Sequence, residues 1–315
     1  MNEPLVIARA FHLASTLLLA GSISFRCWVA APVFRAKASS GLEDGVRIRL
    51  TRIIWAALAV AMISGAAWLV FLASEISDLP VADAMSHGFA WVVLTQTEFG
   101  ADWMLRLEMA VLLAVLLLLP AISPGFAYAT DMICALLAAG LAGSLAWAGH
   151  AAATEGVDGT IHLASDALHL VAAGTWLGAL WPLAILLGRA RCVSNPVSAA
   201  IAHQATRRFS ILGIISVAVI VATGVVNTYE ILGTMAFSLG TDYNRLLLAK
   251  IGLFAVMLCF AVVNRQRLTP RLASERDRVG AIRQLERNSL AEAGLGLVIL
   301  AIVAVLGRIP PHMHD

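Results

Sequence analysis

Eight long apolar segments, separated by short polar stretches, constrain this chain more than any other feature of its sequence. A helix needs about 20 mostly apolar residues to cross the hydrocarbon core of a bilayer. Candidate spans of this kind lie at 5–31, 52–73, 103–121, 130–148, 160–187, 209–232, 246–264 and 289–307. No alternation of period two is visible, which excludes a β-barrel. The sequence therefore predicts an all-α, polytopic membrane helix bundle with about eight transmembrane helices.

The composition agrees with a membrane protein. Hydrophobic residues make up 60% of the 315 residues and charged residues 13%, whereas soluble domains are nearly half apolar and about a quarter charged. The first apolar segment is too long for a signal peptide, and no small-residue cleavage site follows it, so we expect it to be the first span. We predict one transmembrane domain over 1–315, because no soluble domain or linker is visible.

The charged residues are sorted between the loops of the two sides. Basic residues concentrate after spans 1, 5 and 7, at Arg35, Lys37, Arg47, Arg49, Arg189, Arg191, Arg207 and Arg208 and at seven arginines between 265 and 287. Acidic residues dominate the opposite loops, at Glu75, Asp78, Asp83, Glu98, Asp102, Glu155, Asp158 and Asp242. The positive-inside rule then places both termini on the outer, periplasmic side. The basic loops suit anionic lipid, and nucleic-acid binding is not indicated.

The longest outer loop, 74–102, contains the apolar run SHGFAWVVL at 86–94. Such a run forms either a helix that lies on the membrane surface or a lid that packs on the bundle. We favour the lid.

Histidine and aspartate recur at helical spacing in the fifth predicted span. His162, Asp166 and His169 stand at i, i+4 and i+7, which stacks them on one face of a helix. His12 lies about seven residues into the first span, or ~10 Å deep at 1.5 Å per residue, and His169 lies at a similar depth. His150 precedes the fifth span. An ionisable group in an apolar span is costly unless it is paired, hydrated or bound to an ion.

These residues predict a metal site open to the outer side. One histidine in a span is more often a hydrogen-bonding partner between helices, but several at matching depth on two helices favour metal binding. Imidazoles suit Cu, Zn or Fe, and Asp166 is either a ligand or an acceptor that orients a ring. Four polar side chains of the same outer layer are expected to support the site: Arg9, Glu108, Asn227 and Lys250. Arg9 and Lys250 are expected to pair with Glu108 or Asp166.

The inner halves of the spans hold few polar groups, with Glu292 as the main exception. A continuous translocation path would need more of them. Walker, Rossmann, HExxH and nucleophile-elbow motifs are absent from the sequence, so ATP-driven pumping by this chain alone is not expected.

Three runs of sequence resemble the copper resistance D (CopD) family of bacterial inner-membrane proteins. They are HLASDALHLVAAGTWLGALWPL with the preceding GHA, RFSILGIISVAVIVATGVVNTYEILG (208–233) and YNRLLLAKIGLFAVMLCFAVVNRQRLTPRL (243–272). The resemblance is clearest over 149–272 and extends more loosely to the first span, where His12 stands at the place of the family's early histidine. Ser165 stands where the family usually has alanine.

The resemblance implies copper handling at the periplasmic face of the bacterial inner membrane, beside a periplasmic copper-binding partner of the CopC type. It implies copper, as Cu(I) or Cu(II), as the ligand of His12, His150, His162, His169 and Asp166. Uptake into the cytoplasm is the direction usually proposed for the family, whereas the residues alone indicate an outer site without a path through the inner half.

Two other functions fit the same residues. Histidines of two helices at equal depth could ligate a haem, or a copper centre could oxidise a quinol or Cu(I), which would make the chain a membrane redox enzyme. The polar layer could also serve only helix packing, as in a structural partner of a larger complex.

Overall fold

The computed structural model describes residues 3–36, 40–118, 127–148, 156–193, 195–232 and 241–309, and every regular element in these ranges is helical. The α-helices are α1 (Glu3–Phe25), α2 (Ala31–Ala36), α3 (Ser40–Ser77), α4 (Val81–Ser86), α5 (Phe89–Gln96), α6 (Glu98–Leu118), α7 (Ala127–Ser144), α8 (Gly156–Val193), α9 (Pro196–Leu232), α10 (Asp242–Val263), α11 (Thr269–Arg271) and α12 (Arg278–Leu306). A π-helical turn follows α1 (Arg26–Ala30) and another follows α10 (Asn264–Leu268), while a 3-10 turn (Leu145–Ala148) extends α7. The prediction of an all-α polytopic bundle is confirmed.

Seven helical segments of the described residues are long and apolar enough to cross a membrane. They are Glu3–Ala36, Gly41–Ser77, Ala129–Ala148, Asp158–Val193, Pro196–Ile231, Asp242–Arg271 and Arg278–Leu306. They coincide with seven of the eight predicted spans. The other predicted span, 103–121, corresponds to α6, which has 21 described residues. Its first half carries Glu98, Asp102, Arg106 and Glu108, so α6 has more charged residues per membrane-length stretch than the other seven.

The charge pattern of the loops matches the two ends of the bundle. Arg191 at the end of α8 pairs with Glu286 near the start of α12, with 3.0 Å between Nε and Oε2. At the opposite end, Arg9 of α1 donates from Nη1 to the backbone oxygen of Gly307, just after α12, over 3.0 Å. The beginning of α1 and the end of α12 therefore lie at the same end of the bundle. We call this the outer end, following the positive-inside rule.

Helix α8 lies at the centre of the bundle and packs most extensively against α9, α1 and α12. Glycines bring α1 and α8 into backbone contact: a Cβ added at Gly178 would fall on the carbonyl oxygen of Leu17, and one at Gly21 would fall on the backbone of Gly178. Small residues at such crossings let membrane helices approach closely. The side chain of Leu17 also lies against Gly174, so the two helices run parallel.

This crossing sets the depth of the polar residues. Leu17 faces Gly174 and Gly21 faces Gly178. A residue of α1 is therefore level with the residue of α8 whose number is 157 higher. Counting back five residues from Leu17 and Gly174 gives His12 and His169, and counting back eight gives Arg9 and Asp166. The two histidines are thus level with each other, as the sequence predicts.

The outer loop forms two short helices, α4 and α5. Gly88 adopts a left-handed conformation (φ 76°) immediately before α5, which glycine tolerates at little cost. Val93 of α5 is buried against Leu69 and Ala73 of α3, whereas Trp91 is 68% exposed. The segment therefore packs on the bundle as the predicted lid.

Candidate metal centre

His12 of α1 is held in one orientation by a backbone carbonyl. Its Nδ1 lies 2.8 Å from the oxygen of Ala61 in α3, and its ring meets Trp68 edge-on, with 5.7 Å between centroids. Because a carbonyl oxygen only accepts, Nδ1 carries the proton and Nε2 keeps a lone pair. That Nε2 is buried and has no hydrogen-bond partner among the described residues. Metal-binding histidines commonly have this arrangement, in which one ring nitrogen donates to a carbonyl oxygen and the other can coordinate a metal.

His169 of α8 is oriented by a hydroxyl group of α9. Its Nδ1 lies 3.0 Å from Oγ1 of Thr223, and this hydroxyl donates to the backbone oxygen of Val219 over 2.6 Å. Since the only proton of Thr223 Oγ1 is used there, the hydroxyl accepts from His169 Nδ1. The ring lines a cavity of about 570 Å³ together with Lys250. Its Nε2 is therefore the nitrogen available to a ligand.

Asp166 interacts with polar and charged side chains of the outer layer. Asn227 of α9 donates from Nδ2 to Asp166 Oδ1 over 3.2 Å. Arg9 and Lys250 both interact electrostatically with the same carboxylate, as expected of a charge partner. Asp166 thus links α1, α8, α9 and α10 at one depth.

Arg9 joins four elements around this layer. Besides its bond to Gly307, it donates from Nη2 to the oxygen of Ala148 at 3.4 Å. Its guanidinium carbon lies 5.4 Å from the ring centroid of Trp68, a favourable cation–π distance. Arg9 is only 8% exposed, so it is a structural cation and not a metal ligand.

His162 lies closer to the outer end of α8, about one turn beyond Asp166 and two turns beyond His169. Its side chain is 3% exposed, and its Nδ1 is buried without a hydrogen-bond partner in the part of the chain that the structure describes. A buried polar group without a partner costs about 1–3 kcal/mol. His162 therefore has a nitrogen that a bound ion would satisfy. His150 falls in 149–155, outside the described residues.

The predicted convergence on one ion is not seen among the described residues. There, no three His, Cys, Asp or Glu side chains are grouped to hold a metal. The reason is rotation about the helix axes: His12 turns toward α3, whereas His169 turns toward α9. Glu108, expected to support the site, is exposed on α6 and does not reach the layer around Asp166.

Sequence reasoning missed the buried ion pair of α6. Arg106 pairs with Asp102 one turn earlier, and their side chains are 5% and 9% exposed. Arg106 also donates from Nη2 to the backbone oxygen of Ser144 at 2.7 Å and from Nε to its hydroxyl at 3.0 Å. The sequence does carry a signal for this pair, since an acidic residue and a basic residue stand at i and i+4 at the start of an apolar span.

Comparison with known proteins covers both halves of the chain. The family model described as copper resistance protein D matches residues 203–306, and the one described as copper resistance protein D-like, N-terminal domain, matches residues 1–160. No solved structure matches the chain.

Three known proteins illustrate the similarity. Copper resistance protein D of Pseudomonas syringae pv. tomato is 31% identical over 265 residues, 80% of this chain and 84% of that one. Inner membrane protein YebZ of Escherichia coli K12 is 29% identical over 311 residues, 97% of this chain and 98% of that one. Copper transport protein CutJ of Bacillus subtilis 168 is 30% identical over 231 residues, 72% of this chain but 40% of the longer relative.

The seven apolar helices and the similarity to an inner membrane protein along nearly the whole chain make this a multi-pass inner-membrane protein. With family models matching both its N-terminal half and its C-terminal helices, and with a relative 31% identical over 84% of that relative's length, the chain belongs to the copper resistance protein D family.

Proposed function

We propose that this protein takes up or sequesters copper from the periplasmic side of the inner membrane, using imidazoles in the outer half of the bundle. The family supports a role in copper handling. The observation that carries the finer proposal is the orphaned Nε2 of His12, whose ring the carbonyl of Ala61 fixes with its lone pair free. Imidazole is a suitable ligand for copper.

The proposed site has two parts at one depth. One part is His12 beside Trp68, and the other is His169 beside Asp166 and Lys250. His162 lies above both, and His150 precedes α8 in the run of sequence that the family motif includes. We propose that His12, His150, His162 and His169 receive copper, with Asp166 either as a further ligand or as the charge that balances the bound cation.

Two cavities lie one after the other along the bundle. The cavity beside His169 occupies the outer half, and a second one of about 340 Å³ lies between α8, α9, α10 and α12 in the inner half. Trp176 lines both, and its ring meets Phe254 at 90° with centroids 6.0 Å apart. We propose that this aromatic pair separates the outer site from the inner side. The donor of copper in this proposal is a soluble periplasmic protein of the CopC type.

Removing two of the imidazoles is expected to eliminate copper binding at this site. The double variant His162→Ala/His169→Ala deletes one buried orphan nitrogen and the ring that faces the cavity. Purified wild-type protein and the variant should be titrated with Cu(I) and Cu(II) against a chromophoric competitor. We expect the wild type to bind copper and the double variant to lose at least one equivalent.

His87→Ala is the matched control, because His87 is an exposed outer histidine whose Nδ1 lies 2.7 Å from the backbone oxygen of Asp83. This control should bind as the wild type does. Unchanged copper stoichiometry in the double variant would end the proposal.

A redox function is the second candidate, favoured by the size and lining of the cavity beside His169. About 570 Å³ lies within the range of pockets for organic molecules, and His169, Lys250 and Tyr229 provide polar groups along a mostly apolar wall. An optical spectrum of the purified protein tests for haem through its Soret band. If copper alone is bound, quinol-dependent oxygen consumption distinguishes an oxidase from a carrier.

A further inference from the structure

The inner half of the bundle contains a fully buried carboxyl group with a single hydrogen-bond donor. Glu292 of α12 is 1% exposed, and its Oε1 accepts from Nδ2 of Asn264 over 2.7 Å. It lies six residues beyond Glu286, the partner of Arg191 near the inner end of the bundle, and so about 9 Å deeper at 1.5 Å per residue. No ion pair joins Glu292 to a basic side chain in the described ranges.

The partner of Glu292 is itself held in a chain of amides. Asn288 donates from Nδ2 to Oδ1 of Asn264 over 2.6 Å, and Gln284 donates from Nε2 to Oδ1 of Asn288 over 2.9 Å. Asn264 opens the π-helical turn after α10. Turns of this kind are frequent at functional sites. The arrangement fixes the carboxyl group through neutral donors only.

Glu292 also lines the inner cavity, whose polar lining includes four hydroxyl groups as well as Asn264 and Arg265. Thr206, Ser210, Thr269 and Ser289 contribute the hydroxyl groups. Oxygen and amide groups of this kind suit a proton or a hard cation better than copper. The cavity contains no histidine, cysteine or methionine among its lining residues.

The charged groups around the cavity do not neutralise Glu292. Arg265 is the other charged residue of its described lining, but this side chain is exposed and donates from Nη1 to Ser210 Oγ over 2.7 Å. His203 and Arg207 of α9 line a separate cavity at the inner end, and α8 contributes only apolar groups to the inner cavity. A buried carboxylate without a cationic partner is strongly disfavoured relative to its neutral form.

The inner cavity adjoins a smaller cavity at the inner end of the bundle. Ser210, Arg265 and Thr269 line both the inner cavity and the smaller one at the inner end. We propose that Glu292 is a proton-binding site, neutral at physiological pH, that exchanges its proton with the inner side through these shared residues. This inference does not rest on copper transport, because the proton occupies Glu292 whether or not copper is bound.

Infrared spectroscopy of the purified protein at neutral pH tests the proposal without copper. We expect the carbonyl stretch of a protonated carboxylic acid in the wild type, its loss in Glu292→Gln and its retention in the matched control Glu286→Gln. Glu286 lies on the same helix but is ion-paired with Arg191. A band that survives Glu292→Gln, or none in the wild type, would overturn the proposal.

Labelling of the wild type keeps the proposal testable if Glu292→Gln does not fold. Dicyclohexylcarbodiimide reaches buried groups through lipid and modifies protonated carboxyls, and mass spectrometry locates the adduct. We expect modification at Glu292 that declines as pH rises, with several-fold less at Glu286. Protection by sodium at constant pH would instead assign the site to a metal cation, and an unmodified Glu292 at neutral pH would show that it carries no proton.

Discussion

Gly178→Leu is expected to destroy the packing of the bundle. A Cβ at this position would overlap the carbonyl oxygen of Leu17 in α1, and backbone cannot move aside as a flexible side chain can. Because α1 and α8 meet near the centre of the bundle, the helices would have to separate along their length. We expect a loss of at least about 3 kcal/mol, the upper end of the usual cost of overpacking, and little folded protein in the membrane.

Gly252→Leu provides the matched control for this substitution. Gly252 is also a helical glycine, but an added Cβ there meets no atom within 4 Å. Size-exclusion chromatography after a series of heating steps measures how much of each variant stays folded in detergent. Equal survival of Gly178→Leu and Gly252→Leu would mean that the crossing of α1 and α8 is not as described.

Arg106→Met is expected to be nearly as damaging for a different reason. The substitution leaves Asp102 buried without its cation, and it removes the donors to Ser144 at the end of α7. Removing one partner of a buried pair usually costs about 3–5 kcal/mol. The thermal unfolding midpoint of the purified protein should fall accordingly, and adding Asp102→Leu to Arg106→Met should restore much of it.

The exposed pair of α10 is the control for this effect. Arg245 and Asp242 have the spacing i and i+3, with side chains 61% and 79% exposed. Arg245→Met should cost at most about 1 kcal/mol, as for other exposed pairs. If Arg106→Met were no worse than Arg245→Met, then the ion pair of α6 would not be buried in the folded protein.

Seven of the spans and their order along the chain could be predicted from the sequence, because apolar length largely decides what can cross a bilayer. The extent of each helix could not. Helix α3 runs from Ser40 to Ser77, whereas its predicted span covers 52–73. Polar residues continue a helix beyond the membrane surface, since its backbone hydrogen bonds are internal, and hydropathy does not detect that continuation.

Depth in the membrane was predictable, but rotation about the helix axis was not. Counting residues placed His12 level with His169, as the contact of α1 with α8 confirms. Each residue turns an α-helix by about 100°, so a side chain two positions away points in nearly the opposite direction. Glu108 was expected in the polar layer, yet Arg106, two residues earlier, is the buried one. Only the packing of neighbouring helices decides between them.

In the inner half of the bundle, too, the sequence alone could not predict which side chains meet. In the sequence Glu292 is an isolated polar group, but its amide partner Asn264 comes from the turn after α10. Asn288, which donates to Asn264, lies one helical turn before Glu292 in α12. That cluster depends on how α10 packs against α12. A few polar residues in the inner halves of the spans are enough to line a cavity there, because they come together from several helices.

The most direct test of the proposed copper site is the X-ray absorption spectrum at the copper edge of the loaded, purified protein. We expect nitrogen ligands with the outer-shell scattering of imidazole rings, and a weaker imidazole contribution in His12→Ala than in the control His87→Ala. Copper bound only by sulfur, or an imidazole signal that His12→Ala leaves unchanged, would contradict it.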